Sequence, residues 1–325
     1  MSYTSTLLEF GCGLIAFSPT ASLLFSTVLR KPQLLIVAVT SAFAYLIYSA
    51  CASVVWFLLT LLFKGKGGSL SSLIPAIVFQ TIGRVHFLTI YRGVESSIWA
   101  SIGRDAVNRA ARANARRPRT PGGGKDERAA IPLEPVQSDV PRDMRLELND
   151  AICSIAAGSG YGIMHGLMLY GTLLASEGGG SNTLIQPSCP QIPSLIQSAI
   201  ICALFSILDV VMVTMTFVAV PSGGGKTDKA LIMMTAAFHL LASLCTVANS
   251  MSMNVPPCVV SLPSLFVVVG TSVGIFYNTV LPRLNIMKNN NGSTMQQEHN
   301  IHHQNKSEME RVEIDTTSSL KNRFF

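Results

Sequence analysis

At 325 residues with a formal net charge of +6, the chain is 49% hydrophobic and only 13% charged. Soluble domains carry roughly 25% charged residues, so the two ordinary globular domains that this length would suggest are excluded, and the mean hydropathy of +0.42 agrees. The few charges cluster and leave long apolar stretches, each near the roughly 20 residues that a helix needs to cross a hydrocarbon layer about 30 Å thick.

Seven stretches meet that length: residues 7–29, 34–63, 70–91, 151–175, 195–220, 230–248 and 259–281. They predict an all-α, polytopic membrane protein. Barrel strands would instead alternate over about ten residues. The first stretch lacks a basic segment before it and is too long for the core of a signal peptide, so a retained helix with a translocated N-terminus is expected. The second is long enough to require tilt or a protruding end. The predicted organisation is helices one to three in 1–92, a basic cytosolic loop in 93–148, helices four to seven in 149–281 and a disordered cytosolic tail in 282–325.

Orientation follows from the basic residues. With the N-terminus on the lumenal or extracellular side, 21 of the 24 Lys and Arg residues fall on the cytosolic side, and only Lys64 and Lys66 fall outside. Cytosolic segments carry such an excess. The isoelectric point near 9.0 then reflects segments facing anionic membrane lipids, not nucleic-acid binding.

Within the central region, Val94, Ile98, Ile102 and Ala106 recur every four residues, with Trp99 beside them and Arg104, Arg109 and Arg112 following. This pattern fits either a basic helix lying on the inner leaflet or a cytosolic extension of the third helix. The second half, with Arg116, Arg117, Arg119 and the run Pro121-Gly-Gly-Gly, has the composition of disorder. The tail after Leu284 is rich in Asn, Gln, His and Ser. Its His299, His302 and His303 read as a solvated tract rather than a metal site, and Asn291 and Asn305 as sequons on the wrong side of the membrane to be glycosylated.

Charged groups inside a span are costly unless paired or hydrated, which makes each a functional hypothesis. The spans contain Arg84 and His86 in the third, His165 in the fourth, Asp209 in the fifth and His239 in the sixth. Gln80 lies four residues before Arg84, on the same helical face. Arg84 and Asp209 are expected to neutralise one another, with Gln80 and His239 completing hydrogen bonds. The roles of His86 and His165 are open, a carbonyl of a neighbouring helix being one acceptor for either. Such a cluster is either a hydrated cavity receiving a substrate, proton or partner segment, or a pairing device that fixes helix register.

The fourth span also carries Gly158, Gly162 and Gly166, a GxxxGxxxG ladder, with Gly160 beside it. Glycines every four residues leave one helix face bare, so another backbone can approach closely, within the chain or from a partner.

Five of the seven cysteines (Cys12, Cys51, Cys153, Cys202 and Cys245) lie in spans, where cysteine behaves as a small hydrophobe. Cys189 and Cys258 are the two in predicted outside loops, where a disulfide persists. No metal spacing occurs. Neither is there an HExxH, GxSxG or Walker pattern; the run Gly223-Gly-Gly-Lys226-Thr227 lacks the preceding glycine and strand of a phosphate loop. A lone intramembrane aspartate cannot form the carboxylate dyad of aspartyl proteolysis. No cofactor is expected.

The order of these features resembles the anterior-pharynx-defective family, the seven-span scaffold subunit of gamma-secretase. The residues that carry the resemblance are Phe10-Gly11-Cys12, Ala16-Phe17, Pro19, the segment Ala52-Ser53-Val54-Val55-Trp56-Phe57, Gln80 with Arg84, the glycine ladder, His239-Leu240-Leu241 with Ser243, Thr246 and Asn249, and Leu262-Pro263. Coverage is collinear over residues 7–281, leaving out the central loop and the tail. Two departures stand out. Asp209 lies nearest the place of the family's fifth-helix histidine, and Thr81 stands where many members have glutamate.

The resemblance implies a subunit without catalytic activity that associates with nicastrin, then presenilin, then the presenilin enhancer. It also implies residence in endoplasmic reticulum, Golgi, endosomal and plasma membranes. It assigns Gly158, Gly162 and Gly166 to close packing and assembly, and Gln80, Arg84 and His239 to a polar intramembrane cavity, to which Asp209 is added from its position. The competing readings are a glutamate-type intramembrane protease, for which no span holds paired glutamates, a seven-helix receptor, and a solute transporter, for which the two halves show no repeat.

Overall fold

The computed structural model describes residues 3–62, 69–116, 150–178, 192–220, 227–247 and 257–282. Residues 117–149, Cys189, the glycines at 223–225 with Lys226, and the tail with its histidines and sequons lie outside them. The described secondary structure is helical throughout, and seven helices are long and apolar enough to cross a membrane. The chain is an all-α integral membrane protein.

Helix α1, Tyr3–Leu23, continues through a π-turn at Leu24–Val28. It passes through Pro19, which has no N–H to offer the carbonyl of Ile15. The Ser18 hydroxyl donates to that carbonyl instead, at 3.1 Å. Helix α2, Pro32–Leu62, opens with proline in the first turn, where its missing donor costs nothing. Its 31 residues extend about 46 Å at 1.5 Å per residue, more than a bilayer core is thick.

Helix α3, Ser69–Arg116, runs unbroken for 48 residues. Of the two arrangements open for the segment after Tyr91, the chain adopts a continuation of the third helix. The period-four apolar pattern and the arginines ride on that extension.

The remaining helices are α4 (Asp150–Gly178), α5 (Ser194–Ala219), α6 (Lys229–Val247) and α7 (Pro257–Ile275). Asp228 caps α6, its carboxylate accepting the Leu231 N–H at 3.2 Å. The last helix ends in a second π-turn, Phe276–Val280. The chain divides into two units, Met1–Phe276 and Tyr277–Phe325, and of the second the structure describes residues 277–282.

Helices α4 and α5 are the most buried spans, and α1 is the least. α4 has the lowest hydropathy of the seven; its glycines and polar groups are affordable because neighbouring helices, not lipid, surround them. Two apolar clusters form along this central pair. One gathers Leu34, Val37, Ala38 and Tyr45 of α2, Phe87 and Leu88 of α3, Cys153, Ala156, Ala157 and Tyr161 of α4, and Val213 and Phe217 of α5. The other joins Cys12 and Ala16 of α1 to Tyr170 of α4 and Leu195, Ala199 and Cys202 of α5. The stretch between them holds His165 on α4 and Asp209 on α5, so the polar centre is sealed along both helices.

Candidate functional site: a buried polar centre set by glycine contacts

The glycine ladder packs within the chain. A Cβ added at Gly158 would lie 2.7 Å from Val210 Cα, one at Gly162 would lie 3.3 Å from Ser206 Cα, and one at Gly166 would lie 3.2 Å from Cys202 Sγ. The positions advance by four on α4 as they fall by four on α5, which is the signature of an antiparallel pair in fixed register. The Ser206 hydroxyl donates to the Gly162 carbonyl at 3.3 Å. Helix α1 closes the same face, with Thr20 Cγ2 2.6 Å from a Cβ at Gly162 and Phe17 Cε1 2.9 Å from one at Gly166.

Gly160 looks the other way. A Cβ there would meet the Ala38 carbonyl oxygen and the Ser41 hydroxyl of α2. Ser41 Oγ donates across this contact to the Ala157 carbonyl at 2.8 Å. The bare glycine positions on two faces of α4 thus let α5 and α2 approach it at backbone distance, while α1 meets it through the side chains of Thr20 and Phe17.

This spacing positions the charges. Arg84 Nη2 on α3 donates to Asp209 Oδ1 at 2.7 Å, and His165 Nδ1 on α4 approaches Asp209 Oδ2 at 2.6 Å. A ring nitrogen so close to a carboxylate oxygen carries a proton, so both carboxylate oxygens accept hydrogen bonds. Asp209 is fully buried and Arg84 is 2% exposed. A buried pair of this kind is sustained only by good geometry and by further hydrogen bonds, which His165 supplies. Its ring is held by Tyr45, stacked at 5.2 Å, and by the edge contact with Phe205 at 5.1 Å. The Arg84 guanidinium lies 5.9 Å from the Tyr161 ring centre.

The other predicted members are placed differently. Gln80 Nε2 donates to Ser49 Oγ of α2 at 2.7 Å rather than to the charged pair. The His239 ring centre is 6.5 Å from that of His165, and its Nδ1 finds no partner among the described residues. His165 takes a carboxylate as its partner instead of a carbonyl, because the glycine register carries it level with Asp209. His86 likewise bonds the Tyr48 hydroxyl of α2. Arg84 Nε and Nη1, Gln80 Oε1 and Tyr161 OH keep unspent hydrogen-bonding capacity among the described residues.

Residues that sequence reasoning passed over are Tyr45, Ser49 and Tyr161, along with the role of Gly160. A signal existed: Tyr45 and Ser49, Gln80 and Arg84, and Tyr161 and His165 are each four apart, so three helices present a two-residue polar or aromatic stripe. What the sequence lacked was the rotation of one helix against another. Among the described residues, Asp209 is the only buried acid and no three metal-ligating side chains converge. Cys12, Cys153 and Cys202 are buried, while the expected pairing of Cys189 with Cys258 falls outside the described residues.

A family model described as Aph-1 protein matches residues 7–281. No curated protein matches the chain. The match spans all seven membrane helices, and the chain belongs to the Aph-1 family, the anterior-pharynx-defective family of gamma-secretase subunits.

Proposed function

We propose that this member of the Aph-1 family is the non-catalytic scaffold of a gamma-secretase complex, stabilising presenilin and nicastrin for intramembrane proteolysis together with the presenilin enhancer. Its work is mechanical. A register fixed by glycine contacts on two faces of α4 holds α1, α2 and α5 in one arrangement, and the outer faces of the bundle then present a constant surface to partner helices.

The observation that carries this reading is the state of Asp209. Both its oxygens are engaged, one by Arg84 and one by His165, which suits a register-fixing group. Aspartyl proteolysis uses two carboxylates sharing a proton, and a salt-bridged carboxylate is poorly placed to exchange one. The glycine ladder Gly158, Gly162 and Gly166 serves assembly by shaping the bundle from inside. The complex would reside in endoplasmic reticulum, Golgi, endosomal and plasma membranes, with this chain's N-terminus lumenal or extracellular.

The test is purification of the tagged full chain in mild detergent. Presenilin, nicastrin and the presenilin enhancer should accompany it, and protease activity should disappear when presenilin is stripped away. Cleavage of a membrane-embedded reporter by the chain alone would overturn the scaffold reading. A chain that purifies alone and binds a soluble ligand would favour a receptor.

A further inference from the structure

The exposed ridge of α3 contains one residue that lipid cannot satisfy. Ile82 and Ile90, a turn to either side of His86, are 51% and 53% exposed, and Val78 and Val94 continue the row. All suit hydrocarbon. His86 sits among them and is also exposed. It lies six residues before Arg92, which is about 9 Å along the axis. Helical side chains tilt toward the N-terminal end, so the imidazole is carried farther from Arg92 and deeper into the apolar span.

Its partner is held in place. The Tyr48 ring packs so tightly on α3 that a Cβ at Gly83 would lie 2.6 Å from Tyr48 Cδ2. The two rings meet edge to face at 6.1 Å, with the Tyr48 hydroxyl bonded to His86 Nδ1. A neutral imidazole and a phenol bring two protons between them. Their mutual bond uses one. If the phenol donates, the Nε2–H is left over; if Nδ1–H donates, the phenol O–H is left over. Either tautomer leaves one donor at the surface of the span, and an unsatisfied donor in hydrocarbon costs free energy.

We infer that the Tyr48–His86 pair marks a docking surface on the α2–α3 face for one transmembrane helix of a partner subunit, aliphatic along its length and carrying a hydrogen-bond acceptor (a carboxylate, amide carbonyl or hydroxyl) opposite His86. Lipid tails provide no acceptor, and His86 falls at the middle of the apolar span Leu73–Ile98, away from either end. The pair is separate from the buried centre around Asp209, which its own helices already enclose. The inference rests on the scaffold reading in one respect: a partner subunit must exist.

The experiment compares wild type, His86→Leu and His86→Gln as full-length chains, each expressed alone and with the complex. In His86→Leu the chain alone should keep its thermal stability, because one donor stays stranded as before, now the Tyr48 hydroxyl, and the new aliphatic group suits hydrocarbon. Its recovery of partner subunits at limiting partner should fall about three- to twentyfold, from the average to the largest coupling measured for single hydrogen bonds between membrane helices. His86→Gln, whose amide retains a donor, should restore most of that recovery. Undiminished recovery in His86→Leu, or a loss matched by instability of the lone chain, would overturn the inference while leaving the scaffold reading intact. Self-association of the lone chain that His86→Leu abolishes would show that a second copy, not a partner, occupies the face. A wild-type chain that recovers no partner would sink both readings.

Discussion

Substituting alanine at each glycine of α4 should give a graded loss of stability whose order is set by what each new methyl meets. Carbon atoms settle about 3.5–4.0 Å apart. A Cβ at Gly158 lies 2.7 Å from the Cα of Val210, so α4 and α5 must separate by roughly 1 Å, enough to forfeit a quarter to a half of each dispersion contact. Gly158→Ala should therefore cost about 2–3 kcal/mol, the upper part of the range for overpacking. Gly160→Ala should cost at least as much, since its methyl would strike the Ala38 carbonyl and displace the Ser41 hydroxyl from Ala157. At Gly162 the nearest atom is the Thr20 methyl at 2.6 Å, backed by Ser206 O at 3.1 Å, and about 1–2 kcal/mol is expected. At Gly166 the first obstacle is the Phe17 ring edge, which can swing, so the loss should stay below about 1 kcal/mol. Gly171 has nothing within 4 Å, and Gly171→Ala should stabilise by about 0.5–1 kcal/mol from helix propensity alone. Thermal unfolding of the purified chain in lipid nanodiscs would read the series. A flat series, or Gly171→Ala as damaging as Gly160→Ala, would refute the packing assigned to α4.

Three further outcomes are expected, the first from the geometry of the buried pair and the other two from the sequence. Arg84→Met or Asp209→Asn alone should lose about 3–5 kcal/mol by stranding a buried partner, and the double variant should lose less than the sum; additive losses in chemical denaturation would deny the pair. A glycosylation site inserted at 178–186 should be modified while Asn291 and Asn305 stay bare in a gel-shift assay, and modification of either tail asparagine would reverse the proposed orientation. Alkylation followed by peptide mapping should find Cys189 and Cys258 joined; two free thiols there in material purified without reductant would remove that proposal.

The spans were legible because a bilayer imposes length and hydropathy together, and no soluble packing mimics seven such stretches. Each observed span begins and ends within a few residues of its predicted limits, except the third. There the recurrence of Val94, Ile98, Ile102 and Ala106 satisfies a surface helix and an extension equally, and only backbone continuity separates them. The proximity of Arg84 and Asp209 was foreseeable because an apolar bundle offers few other partners to either charge. His165 was not assigned to Asp209 because its level depends on which glycine of α4 meets which residue of α5, a register that no single helix encodes. Gly160 escaped notice for a related reason. A ladder advertises itself by period, whereas a lone glycine facing α2 reveals its role only once Ala38 and Ser41 are in place. The two π-turns carried no sequence signal that we can identify.

The central claim is that the chain shapes an assembly and performs no chemistry, and Gly162→Leu tests it most directly. A leucine there would force α4 away from Thr20 and Ser206, while leaving each helix able to span the bilayer through its internal hydrogen bonds. The measurement is protease activity divided by the amount of assembled complex, in wild type and variant prepared side by side. The account predicts less complex, with reduced recovery of nicastrin and presenilin, and an unchanged activity per assembled complex. Normal assembly with lost cleavage would contradict it and place part of the chemistry in this chain.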